Sequence, residues 1–201
     1  MTLELLIIFF SILLSAFFSG MEIAFVSANK LHIELEKKRD GFLASILAKL
    51  TERSSKFITT MLVGNNIALV VYSYFMGALL MRWFQSFLPS ELLVVNYVLS
   101  DLKLLTQTLI STLVILVTAE FLPKAIFRVY ANETLKIFAI PAYVFFVLFY
   151  FLTEFITKIS DFFLKVLFKT QENETQTEFS KEELGHYISE QMETSNEEYE
   201  M

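Results

Sequence analysis

The stretch FITTMLVGNNIALVVYSYFMGALL occupies residues 57–80 and contains no charged side chain in 24 residues. A helix rises about 1.5 Å per residue, so a helix of this length can cross a hydrocarbon core of about 30 Å. Its centre holds Gly64, Asn65 and Asn66, although a polar side chain in lipid is costly unless it has a partner or a function. The stretch therefore predicts a transmembrane helix with polar groups near its middle.

Two further blocks have the length of a membrane span. Residues 3–28 carry only Glu4 and Glu22 as charges, and residues 104–119 are uncharged and end at Glu120. The chain of 201 residues is 55% hydrophobic and 19% charged, with a mean hydropathy of +0.54, which argues against a water-soluble domain. We predict an all-α membrane protein whose three transmembrane helices lie at about 3–28, 57–82 and 103–121.

The distribution of Lys and Arg predicts the orientation, because cytoplasmic loops carry the basic excess. Residues 29–56 hold seven basic residues and residues 84–102 hold none. We therefore expect a multi-pass protein of the cell membrane (plasma or inner membrane) with the N-terminus outside and the C-terminus in the cytoplasm. Tyr72, Tyr74 and Trp83 are interpreted as interfacial anchors at the outer end of the second span.

A fourth apolar block, residues 137–153, contains Pro141 and has basic residues on both sides. A full crossing would place one of these flanks outside, against the distribution of basic residues. We therefore favour a Pro-broken juxtamembrane belt helix at about 133–168, and a fourth span stays open as the alternative.

The remaining segments are expected on the cytoplasmic side. Residues 30–52 have helical spacing with a break near Asp40 and Gly41, which predicts two short cytoplasmic helices. Residues 171–201 hold ten acidic residues and one lysine and are predicted to be an acidic cytoplasmic linker, in which Ser180 and Glu183 form a capping box. The net charge of −6 argues against a nucleic-acid partner, and the absence of cysteine excludes thiolate metal sites.

Polar residues of the first block share one helix face. Ser11, Ser15, Ser19 and Glu22 lie within about 80° of one another at 3.6 residues per turn. Gly20 lies beside them and would allow another backbone to approach closely. A serine-lined contact between helices is the plainer explanation for Ser11, whereas Glu22 has no such explanation.

Asparagine and glutamate on the other two spans supply oxygens of the kind that hard cations prefer. Asn65 and Asn66 could equally bridge neighbouring helices, and Glu120 could form a salt bridge with Lys124 one turn later. Pro123 cannot donate a backbone hydrogen bond, which loosens the helix and its carbonyls beside Glu120. Because Mg²⁺ takes about six oxygens near 2.1 Å, a carboxylate at such a break fits a magnesium site.

Three motifs in this order resemble the transmembrane domain of the CorC/CNNM (cyclin M) family of magnesium transporters. They are SAFFSGMEIAF at residues 15–25, GNN at residues 64–66 and EFLPK at residues 120–124. The resemblance covers roughly residues 3–170. It implies a homodimer in the lipid bilayer with three spans per subunit and a juxtamembrane belt. It also implies that cytoplasmic CBS domains, which bind ATP, follow the acidic linker in the full-length chain.

The resemblance also implies a set of ligands for a dehydrated Mg²⁺ in a cytoplasm-facing cavity. By motif position these are Ser19 with help from Ser15, Asn66 and Asn65 with the Gly64 carbonyl, and Glu120. Glu22 is expected to be a ligand or a gate. Met21 and Phe121 depart from the usual residues of the family, which leaves the coordination shell open.

The predicted function is Mg²⁺ transport, with export and coupling to Na⁺ implied by the resemblance. The alternative is a cation-sensing membrane scaffold that regulates cytoplasmic domains without moving ions, and the sequence does not separate the two. An enzyme is not expected, because the two histidines, His32 and His186, lie in predicted cytoplasmic segments and no HExxH motif is present.

Overall fold

The structure is a computed structural model that describes residues 2–39, 41–89 and 92–168, and the elements within these ranges are all helical. The tail at 171–201, with Ser180 and Glu183, lies outside the described residues. The α-helices are α1 (Thr2–Ser27), α2 (Lys30–Lys37), α3 (Phe42–Glu52), α4 (Ser54–Ser86), α5 (Leu93–Asn96), α6 (Lys103–Ile115), α7 (Leu122–Val129), α8 (Ala131–Leu148) and α9 (Tyr150–Phe168), with π-helical turns at Tyr97–Asp101 and Leu116–Phe121.

The chain divides into two compact units, Met1–Ile159 and Ser160–Met201. The described part of the second unit is the end of α9, up to Phe168. All contacts considered below belong to the first unit.

Four helical stretches of the described chain are long and apolar enough to cross a membrane: Thr2–Ser27, Ser54–Ser86, Lys103–Val129 and Ala131–Leu148. The first two correspond to the spans predicted at about 3–28 and 57–82. The third was predicted to end near residue 121, but the helix continues through the π-helical turn and α7. Pro123 lies directly after the π-helical turn, and such a local change of helical hydrogen bonding accommodates the missing N–H of a proline.

The short helices α2 and α3 confirm the two helices predicted between residues 30 and 52. Gly41 separates them with a φ of +147°, a conformation that favours glycine. At the start of α2 the Asn29 side chain accepts hydrogen bonds from the backbone N–H groups of Leu31 and His32. This cap satisfies N–H groups that the first turn of a helix leaves without partners.

Helix α1 lies against α4, α7, α8 and the π-helical turn at Leu116–Phe121. Two glycines allow this close packing. A Cβ on Gly20 would lie 2.5 Å from the Phe127 ring on α7, and a Cβ on Gly64 of α4 would lie 2.7 Å from the Phe18 ring. Gly20 thus permits the close approach that its position predicted, although a ring rather than a backbone fills the space.

The bundle of α1 and α4 has two ends. We call the end where α1 stops and α4 starts, joined by α2 and α3, the loop end, and the opposite end the far end. At the far end Arg82 Nη2 lies 2.6 Å from Glu4 Oε2. At the loop end an apolar loop-end cluster joins α1, α2, α3, α4 and α8, and its members are Phe18, Met21, Ala24, Ala28, Ile33, Ile46, Leu47, Leu50, Phe57, Met61, Ala131, Leu135, Ala139, Ala142 and Phe146.

The segment at 133–168, predicted as one Pro-broken juxtamembrane helix, has a different helix division. Pro141 lies inside α8, which stays helical to Leu148, and the break falls at Phe149. Phe145 contacts the rings of Phe17 and Phe18, so this segment packs on α1 as well as presenting apolar side chains outward. The proline therefore does not break the helix.

Tyr72 also differs from its interpretation as an interfacial anchor. Its side chain is completely buried, and its hydroxyl donates a hydrogen bond of 3.0 Å to the Ser111 carbonyl. Tyr74 and Trp83 are exposed, in keeping with anchoring. The Tyr72 ring faces α6 because the rotation of α4 is decided by packing, which the composition of the stretch does not reveal.

Candidate metal centre

The first element of the site is a buried hydrogen bond between α1 and α4. Ser15 Oγ donates to Asn65 Oδ1 over 2.6 Å. Ser15 is fully buried and Asn65 is 7% exposed, so the pair lies inside the helix contact. A hydroxyl and an amide oxygen are thus held together at the centre of two long apolar helices.

Ser19 lies one turn further along α1, towards the loop end. It is fully buried, and its Oγ has no hydrogen-bond partner among the described residues. A buried polar atom without a partner costs free energy, so such an atom in a folded protein calls for an explanation. A ligand that binds this oxygen would supply one.

Glu120 is positioned by the π-helical turn Leu116–Phe121, which packs against α1. Its neighbour Ala119 is fully buried in an apolar cluster that also includes Ala16 of α1. Glu120 is partly buried, and in the part of the chain that the structure describes it forms no ion pair with Lys124. The carboxylate therefore lies on a segment next to the serine-bearing part of α1. A π-helical turn is a common feature of functional sites in helices.

The remaining predicted site residues have other surroundings. Asn66 is exposed, and its Nδ2 donates to the Leu62 carbonyl of its own helix over 2.9 Å. Glu22 is partly buried. Gly64 lies in an uninterrupted part of α4 and accommodates the Phe18 ring. The structure thus brings Ser15 and Asn65 together and turns Asn66 to a different face.

Apolar side chains enclose these polar groups on both sides. The loop-end cluster lies on one side. On the other lies the far-end cluster, formed by Ile8, Tyr72, Ile115 and Ala119 with Ile12, Ala16, Leu69, Phe75, Met76, Leu79 and Val114 packed against them. Ser15 and Ser19 are fully buried and Asn65 is 7% exposed between these two clusters, whereas Glu120 is only partly buried.

The donor set favours a hard cation bound largely through neutral oxygens. Among the described residues no group of three or more His, Cys, Asp or Glu side chains is close enough to hold a metal ion. Serine hydroxyl and asparagine amide oxygens together with carboxylate oxygens suit Mg²⁺ better than a soft metal, which prefers sulfur or imidazole.

Two carboxylates at the loop end are held by basic residues. The hydrogen bond from Lys136 lowers the pKa of the Glu36 carboxyl group, and Arg39 contributes further. The hydrogen bond from Lys56 likewise lowers the pKa of Glu154. Both carboxylates are therefore ionised at neutral pH and attach α8 and α9 to the rest of the bundle.

The sequence did not predict that the polar side chains of two residues lie inside the bundle. Tyr72 was placed at an interface, and Gln107 of α6, whose Oε1 is buried without a partner in the described chain, was not considered. Gln107 could have been noticed in the sequence, because it is a polar residue within an apolar helix.

Comparison with known proteins adds an independent observation. The family model of the cyclin M transmembrane N-terminal domain (CNNM) matches residues 6–200. No curated protein matches the chain.

Proposed function

The chain belongs to the cyclin M (CNNM) family of transmembrane N-terminal domains, and from this premise we propose that it transports Mg²⁺ through the oxygens of Ser15, Ser19, Asn65 and Glu120. Family membership associates the chain with divalent-cation transport at a membrane. The ion, its ligands and its path are the proposal argued here from the contacts of the described residues.

The buried Ser19 hydroxyl is the observation that carries the proposal. It lies one turn from the Ser15–Asn65 hydrogen bond and has no partner in the described chain. As a structural contact it would be unfavourable, because an unpaired buried hydroxyl costs about 1–3 kcal/mol. As a ligand it would share an ion with Asn65 and Ser15, and the cost would be offset when the ion binds.

We further propose that the loop end faces the cytoplasm and that α8 does not cross the membrane. Helix α8 starts beside the end of α1, where Asn132 Oδ1 accepts from the Asn29 N–H over 2.9 Å. After α8, Glu154 near the start of α9 lies beside the start of α4, with its Oε2 2.6 Å from Lys56 Nζ. Both contacts are at the loop end, which supports three spans and a belt.

Export of Mg²⁺ coupled to Na⁺, in a homodimer, completes the proposed function. Alternating access would open the loop-end cluster and the far-end cluster in turn around the fixed oxygens. A cation sensor is the alternative, and it would bind Mg²⁺ at the same oxygens without flux.

The first test is thermal unfolding of the purified protein in detergent against Mg²⁺, with Na⁺ and Ca²⁺ for comparison. Binding to the folded state raises its stability by about 2.7 kcal/mol at a hundred times Kd. We expect a saturable rise for the parent and for Asn66→Ala, and its loss in Asn65→Ala. The two neighbouring residues undergo the same substitution, but only Asn65 contacts Ser15.

An equal Mg²⁺ response in the parent and Asn65→Ala would remove Asn65 from the site. If Mg²⁺ stabilises the parent, flux in proteoliposomes then separates transport from sensing. Mg²⁺-dependent stabilisation without flux would favour the sensor.

A further inference from the structure

The contact between α4 and α6 in the far half of the bundle has an unusual polar composition. Tyr72 is fully buried in the far-end cluster, and its hydroxyl donates to the Ser111 carbonyl over 3.0 Å. Ser111 is itself 9% exposed. Among the described residues this is the hydrogen bond that joins α4 to α6.

One turn from Ser111, on the same side of α6, Gln107 lies against α4. Its Nε2 is 2.5 Å from the position that a Cβ on Gly77 would occupy, so the glycine lets the amide lie directly against α4. Its Oε1 is buried and has no partner in the described part of the chain. The same contact thus contains one satisfied polar group and one unsatisfied one.

Among the described residues, α4 and α6 contact each other on the far-end side of Ser15 and Asn65. Ser15 and Asn65 lie deeper in the bundle, and the far-end cluster separates them from the far end. The far-end cluster contains residues of α1, α4 and α6, so a cation moving from Ser15 towards the far end would pass between these helices. Separation of α4 from α6 would break the Tyr72 hydrogen bond, which raises the free energy of the open state. It would also admit water to the Gln107 oxygen, which lowers that free energy.

We propose that the α4–α6 contact is the far-end gate of the cation site, held closed by the hydrogen bond from Tyr72 to Ser111 and biased towards opening by the unpaired Gln107 oxygen. The inference rests on the proposed function, since a gate requires an ion to pass. Tyr72 is a positioning residue, because it acts through the helix contact and does not touch the ion.

The chain contains no cysteine, so a single introduced thiol reports on access to the interior. Ser11→Cys places that thiol on α1, one turn from Ser15 towards the far end, at a position that is 5% exposed. Its rate of reaction with a membrane-impermeant, positively charged methanethiosulfonate reagent would be measured in proteoliposomes, with the reagent added at the far-end side.

We expect Tyr72→Phe to increase the labelling rate of this thiol about fivefold, as loss of one hydrogen bond implies. Gln107→Met, which removes the unpaired oxygen at similar side-chain length, should lower the rate. Tyr74→Phe is the matched control, because Tyr74 lies on the same helix but is 75% exposed, and its rate should equal that of the parent.

A second reporter separates a gate from general loosening. Ala24→Cys lies in the loop-end cluster and is fully buried, so its labelling rate should not change with Tyr72→Phe. A rise at both reporters, or at neither, overturns the gate. Tyr72→Phe could raise the labelling rate of Ser11→Cys and not that of Ala24→Cys, while Mg²⁺ never stabilises the protein. In that case the proposed ion is wrong and the gate stands. If Mg²⁺ stabilises the protein but the rates do not separate, the gate alone is wrong.

Discussion

Ser15 and Ser19 occupy equivalent positions on α1, one turn apart, and have opposite hydrogen-bonding states. Ser15 donates to Asn65, whereas the Ser19 hydroxyl is buried without a partner among the described residues. A bilayer offers no water to satisfy such a group, so the contrast separates a residue that joins helices from one that is available to a ligand.

Substitution of these two serines by alanine should therefore change stability in opposite directions. Without Mg²⁺, Ser19→Ala should raise the free energy of unfolding by about 1 kcal/mol, because it removes an unpaired hydroxyl. Ser15→Ala should lower it, because it leaves the Asn65 oxygen unpaired. Thermal unfolding in detergent measures both, and Ser19→Ala should also weaken the Mg²⁺ response. A loss of stability in Ser19→Ala would show that its hydroxyl is satisfied in the protein.

At the scale of the elements, ion pairs attach the α8–α9 segment to the bundle. Glu36 Oε1 on α2 lies 3.2 Å from Lys136 Nζ on α8 and 2.8 Å from Arg39 Nη1. Lys56 and Glu154 form the equivalent contact between α4 and α9, at 2.6 Å. A buried hydrogen bond of 3.1 Å between the hydroxyls of Thr60 and Thr153 supports it.

The Glu36 pair predicts an acid-dependent loss of stability. Its pKa in the folded protein is lowered, mainly by the hydrogen bond from Lys136. The stabilisation is therefore fully present above the unfolded pKa, near 4.5, and is lost as the pH falls through the lower folded value. Melting temperatures between neutral and acidic pH should fall less steeply for Glu36→Gln than for the parent.

Glu34→Gln is the control for this prediction, since Glu34 is exposed and pairs with Lys37 on its own helix. Its acid profile should follow that of the parent. If Glu36→Gln also follows the parent, the attachment of α8 to α2 does not depend on the ionised carboxylate.

For the whole molecule, the contacts of α8 and α9 with the loop end predict which residues share a side of the membrane. Glu133→Cys on α8 and Lys158→Cys on α9 each introduce one exposed thiol. Both should react with an impermeant reagent added on one side of the membrane. Ser86→Cys, at the far end of α4, should react only with reagent added on the other side. Labelling of Lys158→Cys from the Ser86 side would show that α8 crosses the membrane and that the protein has four spans.

Composition and helical spacing were enough to predict the all-helical architecture, the first three apolar helices and the division of residues 30–52 at Gly41. These features follow from composition, because a helix in lipid must satisfy its backbone hydrogen bonds internally. The family also followed from motifs that the sequence displays directly. Helical periodicity correctly placed Ser15 and Ser19 on one face of α1.

The rotation of the helices against one another could be read only from their packing in the folded protein. This packing placed Asn65 rather than Asn66 opposite Ser15, and it buried Tyr72 against α6. The folded protein also has the helix break at Phe149 instead of at Pro141. A sequence gives the angles between residues on one helix, but the face that each helix turns to its neighbours depends on packing among several helices at once, such as the Phe18 ring against Gly64.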